Sequence, residues 1–121
     1  VILEAGKTPT HAQMHQSCAT LDGRDDRLLN WITDSGIVSM IADNYAVEQS
    51  PARPAPGKTY ANSPLHQHCL FKLGVPLGEI WHLGDLARWL KVNGRTRFFA
   101  TCQPIRLPGA VGSPANAVAI V

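Results

Sequence analysis

The residues best suited to chemistry are a histidine and a glutamate thirteen positions apart. His66 and Glu79 stand on either side of a Gly-Val-Pro turn at 74–76. A helix carrying the histidine and a short strand carrying the glutamate would bring the imidazole and the carboxylate together. A divalent metal accepts both ligand types, but two ligands rarely hold a catalytic metal alone. The pair therefore predicts one part of a metal site.

Each of the two residues also has an ordinary interpretation. A single histidine near a helix start is often an exposed polar residue, and a glutamate at a strand edge is often solvated. Glu79, however, lies between Gly78 and the apolar pair Ile80-Trp81. An unpaired charge is costly in apolar surroundings, which indicates a carboxylate that is paired, protonated or bound to a metal. On the residues alone, both interpretations stay open.

Other residues carry metal-binding atoms with weaker support. His68 and Cys69 share a predicted helix with His66, but only i+3 and i+4 neighbours lie on one helical face. We therefore expect His68 to be solvated. Cys69 falls at the i+3 position from His66, but we expect it to be a small core residue. Four further candidates have weaker support. His82 is interpreted as a boundary residue and Asp43 as part of an Asp-Asn turn. His11 and His15 have an i, i+4 spacing but no other support.

Composition limits the class of protein. The 121 residues are 45% hydrophobic and 17% charged, as is typical of one small folded domain. The net charge of +2 is scattered without a basic run, so neither a nucleic acid nor a membrane surface is an expected partner. No apolar run approaches the roughly 20 residues that span a bilayer. Three widely spaced cysteines without a Cys-x-x-Cys pair favour a reducing compartment, here the cytoplasm.

The elements before the pair alternate in the α/β manner. Residues 25–34 are predicted as a helix, because three apolar residues form a stripe and acids begin the first turn. Residues 36–42 are predicted as a strand covered on both faces. Four prolines between 45 and 64 predict an extended loop. Residues 65–73 are predicted as a helix with Ser63 as its cap and Pro64 in its first turn.

The elements after the pair continue the alternation. An apolar i, i+3, i+4, i+7 stripe from Leu83 to Leu90 predicts a helix that Asn93-Gly94 ends. Residues 96–102 and 117–121 are predicted as buried strands. Residues 1–24 are interpreted as an irregular arm before a domain over 25–121. The chain starts without an initiator Met, and we expect the start to be an internal break in a longer protein.

The order of several short blocks resembles the C-terminal half of the cyclase-like metal-dependent hydrolases, a family that includes bacterial kynurenine formamidase and isatin hydrolase. The most specific blocks are Pro-Leu-Gly-Glu-Ile-Trp at 76–81 and Gly-Ser-Pro-x-Asn-Ala at 112–117. The matching pieces together run from about Gly23 to Val121 and are Asp25–Ile32, Ile41–Asn44, Leu65–His66, Gly74–Trp81 and Leu107–Ile120.

The resemblance implies a fold, a cofactor and a division of the site. The fold would be the C-terminal part of a three-layer β/β/α swivelling domain. The cofactor would be zinc or manganese, which polarises a carbonyl and activates water against an amide, a cyclic amide or imide, or a lactone. His66 and Glu79 would be the distal metal ligands and the catalytic residues of this chain, and the Pro-rich loop before His66 would shape the substrate pocket.

The family's proximal ligands lie in a His-x-Gly-Thr-His-x-Asp-x-Pro motif that residues 1–24 lack. His11 and His15 have neither the Gly-Thr-His nor the following Asp, so the proximal roles are not assigned to them. The expected partner is therefore a companion segment or subunit carrying His-x-x-x-His-x-Asp, in a homo- or hetero-oligomer acting on a small molecule. The alternative is a non-catalytic subunit that keeps the fold for assembly or ligand binding.

Overall fold

The computed structural model describes residues 10, 12–13, 19–57 and 60–121. The chain divides into two compact units, one up to Leu83 and one from Gly84 to Val121. His11, His15 and Cys18 lie outside the described residues, so the predicted His11 and His15 pair stays a prediction. In the described part of the chain, no helix combines the length and apolar character needed to cross a membrane.

Helix α1 spans Asp26–Ser35. The Asp25 carboxylate caps it by accepting hydrogen bonds from the backbone N–H groups of Arg27 at 2.9 Å and Leu28 at 3.4 Å. Gly36 ends it in the left-handed conformation, at φ 67°, which glycine adopts without steric cost. Ile32, which belongs to the predicted apolar stripe, is fully buried. The helix predicted over 25–34 is confirmed, with a shift of one residue.

Two short strands, β1 at Met40–Ile41 and β2 at Leu77–Gly78, form a parallel pair. Met40 faces Leu77 and Ile41 faces Gly78. The strand predicted over 36–42 is therefore confirmed only at its centre. Its predicted burial on both faces is wrong at Ile41, whose side chain is exposed. The sheet has only two short strands, and its faces are not fully packed against other elements. Glu79 follows β2 directly instead of lying within it.

The helix predicted over 65–73 begins as α2, Pro64–His66, and continues as a π-helical segment, Gln67–Leu73. Gly74, at φ 69°, ends the segment and donates its N–H to the carbonyl of Cys69. The predicted extent is confirmed, whereas the wider π-helical winding has no local signal in the sequence. The predicted Ser63 cap is wrong, since the Ser63 side chain makes no capping hydrogen bond.

The described residues of the long loop, 45–57 and 60–63, have little regular structure, as predicted, but they are anchored at several points. Leu21 and Glu48 form an isolated parallel bridge. The Leu21 N–H donates to the Val47 carbonyl at 3.0 Å, and the Gln49 N–H donates to the Leu21 carbonyl at 2.9 Å. This bridge fixes the backbone on both sides of Glu48.

Two arginines hold the rest of the loop. The Arg24 guanidinium donates to the carbonyls of Arg53 and Ala61, each at 2.6 Å, and stacks 4.9 Å from the centre of the Tyr60 ring. Arg53 in turn donates to the Asp22 carboxylate at 2.5 Å and to the Arg24 carbonyl at 2.9 Å. These contacts tie the Pro-rich loop to the segment before α1.

The core of the first unit joins α1, the loop and the helix that carries His66. It is formed by Ile32, Val47, Leu65, Cys69 and Val75. Apolar side chains from β1, β2 and α1 pack around these residues. The helix carrying His66 is thus held by the fully buried Leu65 and Cys69, one on each side of the histidine.

The second unit contains α3 at Gly84–Val92, β3 at Phe99–Pro104 and β4 at Ala115–Ile120. The two strands pair in antiparallel fashion, from Phe99 opposite Ile120 to Pro104 opposite Ala115. The helix and both strands are confirmed, but their predicted burial is wrong. All residues from 84 to 121 are described and none is buried, because a lone two-stranded sheet leaves both of its faces uncovered within this unit. Phe99 is 62% exposed and Ile120 is 60% exposed.

Candidate metal centre

His66 and Glu79 lie close together because the chain turns back between the π-helical segment and β2. The turn at 74–76 reverses the chain after the π-helical segment, and β2 then carries the glutamate back beside the start of α2. The Nε2 atom of His66 lies 3.6 Å from Oε1 of Glu79. Both side chains are about one-third exposed, so a ligand can reach them from solvent.

Glu48 is the residue that the sequence did not single out. It is 2% exposed, and among the described residues it alone is both charged and buried. Its Oε1 accepts a hydrogen bond from the Leu65 N–H at 2.6 Å, and its Oε2 accepts from the His66 N–H at 3.2 Å. The carboxylate therefore caps α2 in place of Ser63, and these bonds offset the cost of burying a charge.

The same Glu48 carboxylate also contacts the His66 ring. Nδ1 of His66 lies 2.8 Å from Oε2 of Glu48. Through this contact one nitrogen of the imidazole faces a buried carboxylate, while the other faces Glu79. The only sequence signal for Glu48 was its place in a loop of unusual length, which predicts function without indicating a residue.

Glu79 is held by Val47, the residue before Glu48. Its Oε1 accepts a hydrogen bond from the Val47 N–H at 2.9 Å. The next residue, Ile80, has a positive φ of 59°, which is rare for a β-branched side chain. Its N–H donates to the Asn44 carbonyl at 2.8 Å, which holds the backbone in this conformation. Residues 47 and 48 thus orient both members of the pair.

A cavity of about 300 Å³ opens beside His66 and Glu79. The Pro-rich loop supplies much of its wall, through residues on both sides of the prolines. Besides the pair, the lining residues are Tyr45, Ala46, Glu48, Gln49, Ser50, Ser63 and Ile80. The loop therefore lies where the sequence analysis expects a substrate pocket.

The prediction that His68 is solvated is wrong. Its Nε2 lies 3.1 Å from the Leu29 carbonyl and 3.0 Å from Oγ1 of Thr33. A carbonyl can only accept a hydrogen bond, so Nε2 is the protonated nitrogen of His68. Through Nε2 the side chain fastens the π-helical segment to α1.

The other candidates have structural or surface positions. Cys69 is fully buried, which confirms the prediction of a core residue. Burial raises the pKa of its thiol, and the negative charge of Glu48 adds to the effect. Asp43 lies exposed between β1 and the loop, and His82 lies exposed ahead of α3, in agreement with its interpretation as a boundary residue.

The donor atoms of His66 and Glu79 fit a divalent metal. Two ligands about 2.1 Å from a tetrahedral zinc lie about 3.4 Å apart, close to the observed 3.6 Å. An imidazole nitrogen and a carboxylate oxygen suit zinc, and manganese also accepts carboxylate oxygen. Among the described residues, no group of three or more His, Cys, Asp or Glu side chains is arranged to hold a metal. The assignment of His66 and Glu79 as metal ligands stays a prediction.

One solved structure, described as the crystal structure of a novel cyclase, is similar to this chain. It shares 38% sequence identity and superposes with a TM-score of 0.61 over 77% of this chain. The chain spans 28% of the length of that cyclase. No family model matches the chain, and no curated protein matches it significantly. The predicted α/β fold, part of a cyclase-like domain, is confirmed.

Proposed function

We propose that this chain forms one side of the active site of a cyclase-like metal-dependent hydrolase. The reaction is the hydrolysis of an amide, a cyclic amide or imide, or a lactone in a small molecule, with water activated by zinc or manganese. The observation that carries the proposal is the 3.6 Å separation of His66 Nε2 and Glu79 Oε1 at the wall of a cavity. The similarity to a cyclase at 38% identity supports it.

The two side chains have different roles in this proposal. His66 Nε2 is a metal ligand, and Glu79 is a ligand through the carboxylate that the Val47 N–H holds. When bound, the metal lowers the pKa of water and polarises the carbonyl under attack. The cavity in which the substrate binds is walled by the loop residues Tyr45, Ala46 and 48–50.

The remaining ligands come from a companion segment or subunit carrying His-x-x-x-His-x-Asp, in a homo- or hetero-oligomer. Two findings support a companion. The chain spans 28% of the length of the similar cyclase, and the β3–β4 sheet leaves large apolar side chains uncovered within its unit. The free thiols of Cys69 and Cys102 support a reducing compartment such as the cytoplasm.

The test is to purify the chain with whatever accompanies it in its natural source and to assay hydrolysis of a panel of amides, imides and lactones. We expect the wild-type assembly to hydrolyse a member of the panel and Glu79→Ala to lose more than about 100-fold of that activity, since a removed ligand disorders the site. Asp85→Ala, which removes an exposed carboxylate from α3, is the matched control and keeps full activity. Full activity in Glu79→Ala would refute the site assignment.

A second candidate function is a non-catalytic subunit that keeps the fold for assembly or ligand binding. It is favoured by the two-ligand set, since the described residues offer no third ligand. A companion lacking His-x-x-x-His-x-Asp, together with an inactive assembly, would support it. A companion that carries the motif would support the hydrolase.

A further inference from the structure

Glu48 stands at a point where three hydrogen bonds converge on one carboxylate. Two of the donors are backbone N–H groups, from Leu65 and His66, and these groups can only donate. The carboxylate is buried to 2% exposure, and its position is fixed by the bridge to Leu21. An ionised carboxylate accepts in all three contacts, so the third contact requires a proton on Nδ1 of His66.

We propose that Glu48 is a positioning residue that sets the tautomer of His66. With its proton on Nδ1, the neutral imidazole presents an unshared electron pair on Nε2, the atom that faces Glu79 at 3.6 Å. Only this tautomer can bind a cation through Nε2. Glu48 thus reserves Nε2 for a ligand, which, on the function proposed above, is the divalent metal.

The Glu48 carboxylate is closely packed. Gly23 is buried against it, and a Cβ at residue 23 would overlap Glu48 Oε1 and come within 2.6 Å of the Leu65 nitrogen. The Leu65 N–H that donates to Glu48 is held in place because the Leu65 side chain is fully buried. A carboxylate in a close-packed site of this kind orients its partner more firmly than a solvated one.

The tautomer can be read directly by long-range ¹H–¹⁵N correlation on the metal-free protein labelled at histidine. We expect the His66 spectrum to show a protonated Nδ1 and an unprotonated Nε2. His68 is an internal reference of the opposite kind, because its Nε2 donates to the Leu29 carbonyl. A His66 protonated on Nε2 in the wild-type protein would overturn the proposal without any variant.

The informative variant is Glu48→Ala. It removes the carboxylate that accepts the Nδ1 proton, so the neutral imidazole of His66 is no longer held with its proton on Nδ1. We expect the His66 tautomer to reverse and the affinity for zinc or manganese to fall about 10- to 100-fold. Asp22→Ala, which removes a nearby carboxylate that binds Arg53 instead of His66, is the matched control and keeps the wild-type tautomer.

The two proposals fail in different ways. If Glu48→Ala keeps the proton on Nδ1, the positioning role is wrong whatever the protein does with metals. If the tautomer reverses as expected but the wild-type assembly binds neither zinc nor manganese, the control of His66 by Glu48 stands and the metal-dependent function fails. Both readouts are independent of the substrate.

Discussion

At the scale of single residues, the site depends on two neighbours in the sequence that point in different directions. The Val47 N–H holds Glu79, and the Glu48 carboxylate holds the ring and the backbone of His66. Since one contact is made by a backbone N–H and the other by the side chain of the next residue, one short stretch orients two side chains that face each other. A change that displaces Glu48 will therefore disturb both His66 and Glu79.

Gly23→Ala tests this arrangement through packing alone. The added methyl group meets the Glu48 carboxylate and the backbone of Leu65, neither of which has room to move. We expect a loss of about 1–3 kcal/mol in the free energy of unfolding, measured by denaturant titration, together with weaker metal binding.

Gly112→Ala is the matched control, because a Cβ there meets nothing within 4 Å. Its stability should stay within about 0.5 kcal/mol of the wild type. If Gly23→Ala is as stable as this control and binds metal normally, the packing around Glu48 is looser than the structure indicates.

At the scale of elements, local signals predicted the helices well and long-range contacts escaped prediction. Asp25 and Gly36 fix the ends of α1 through bonds to residues within a few positions, so their roles can be read from the sequence. The cap of α2 comes instead from Glu48, seventeen residues before Leu65. Ser63 had the right residue type at the right place, and nothing local indicated that a buried carboxylate would replace it.

The cap of α1 gives a prediction about pH. Hydrogen bonds from the Arg27 side chain and backbone lower the pKa of Asp25 from 3.8 to about 2. A lowered pKa means that the carboxylate stabilises the fold fully above about pH 4 and loses this effect as the pH falls toward 2. Asp25→Asn keeps a capping oxygen but does not titrate. We expect its deficit in stability relative to the wild type to shrink over that range, as measured by thermal unfolding.

Arg27→Ala is the companion variant for this prediction. It removes the guanidinium, the largest cause of the shift, and leaves the backbone N–H bonds in place. In the Arg27→Ala background the pKa of Asp25 should be higher, so the stabilising effect of its carboxylate should be lost at a higher pH than in the wild type. A deficit of Asp25→Asn that stays constant down to pH 2 would contradict the ionic component of the cap.

At the scale of the whole molecule, the two units differ in how they bury apolar surface. The first has a small core under the site, whereas every residue of the second keeps some exposure. Apolar strands typically require cover on at least one face. The strands are predicted as buried because their residues are apolar. The sequence of this chain does not show whether the surface that covers them belongs to this chain or to another segment.

Substitution of the facing pair Phe99 and Ile120 tests whether the companion covers this sheet. Phe99→Ser and Ile120→Thr remove apolar surface that is largely exposed within the unit, so the chain itself should lose little stability. We expect the assembly to dissociate at least 10-fold more readily in analytical ultracentrifugation, because burial of a large apolar side chain contributes about 1.5–3 kcal/mol. Val111→Ser, at an exposed loop position, is the control. An unchanged assembly would place the companion elsewhere.

The most direct test of the central claim is the metal content of the purified assembly, measured by elemental mass spectrometry together with intact mass. We predict that the wild-type assembly holds zinc or manganese in fixed proportion to this chain, that the double variant His66→Ala/Glu79→Ala loses it, and that the chain alone binds it weakly. Full metal content in the double variant, or stoichiometric metal with hydrolysis by the chain alone, would contradict a shared metal site.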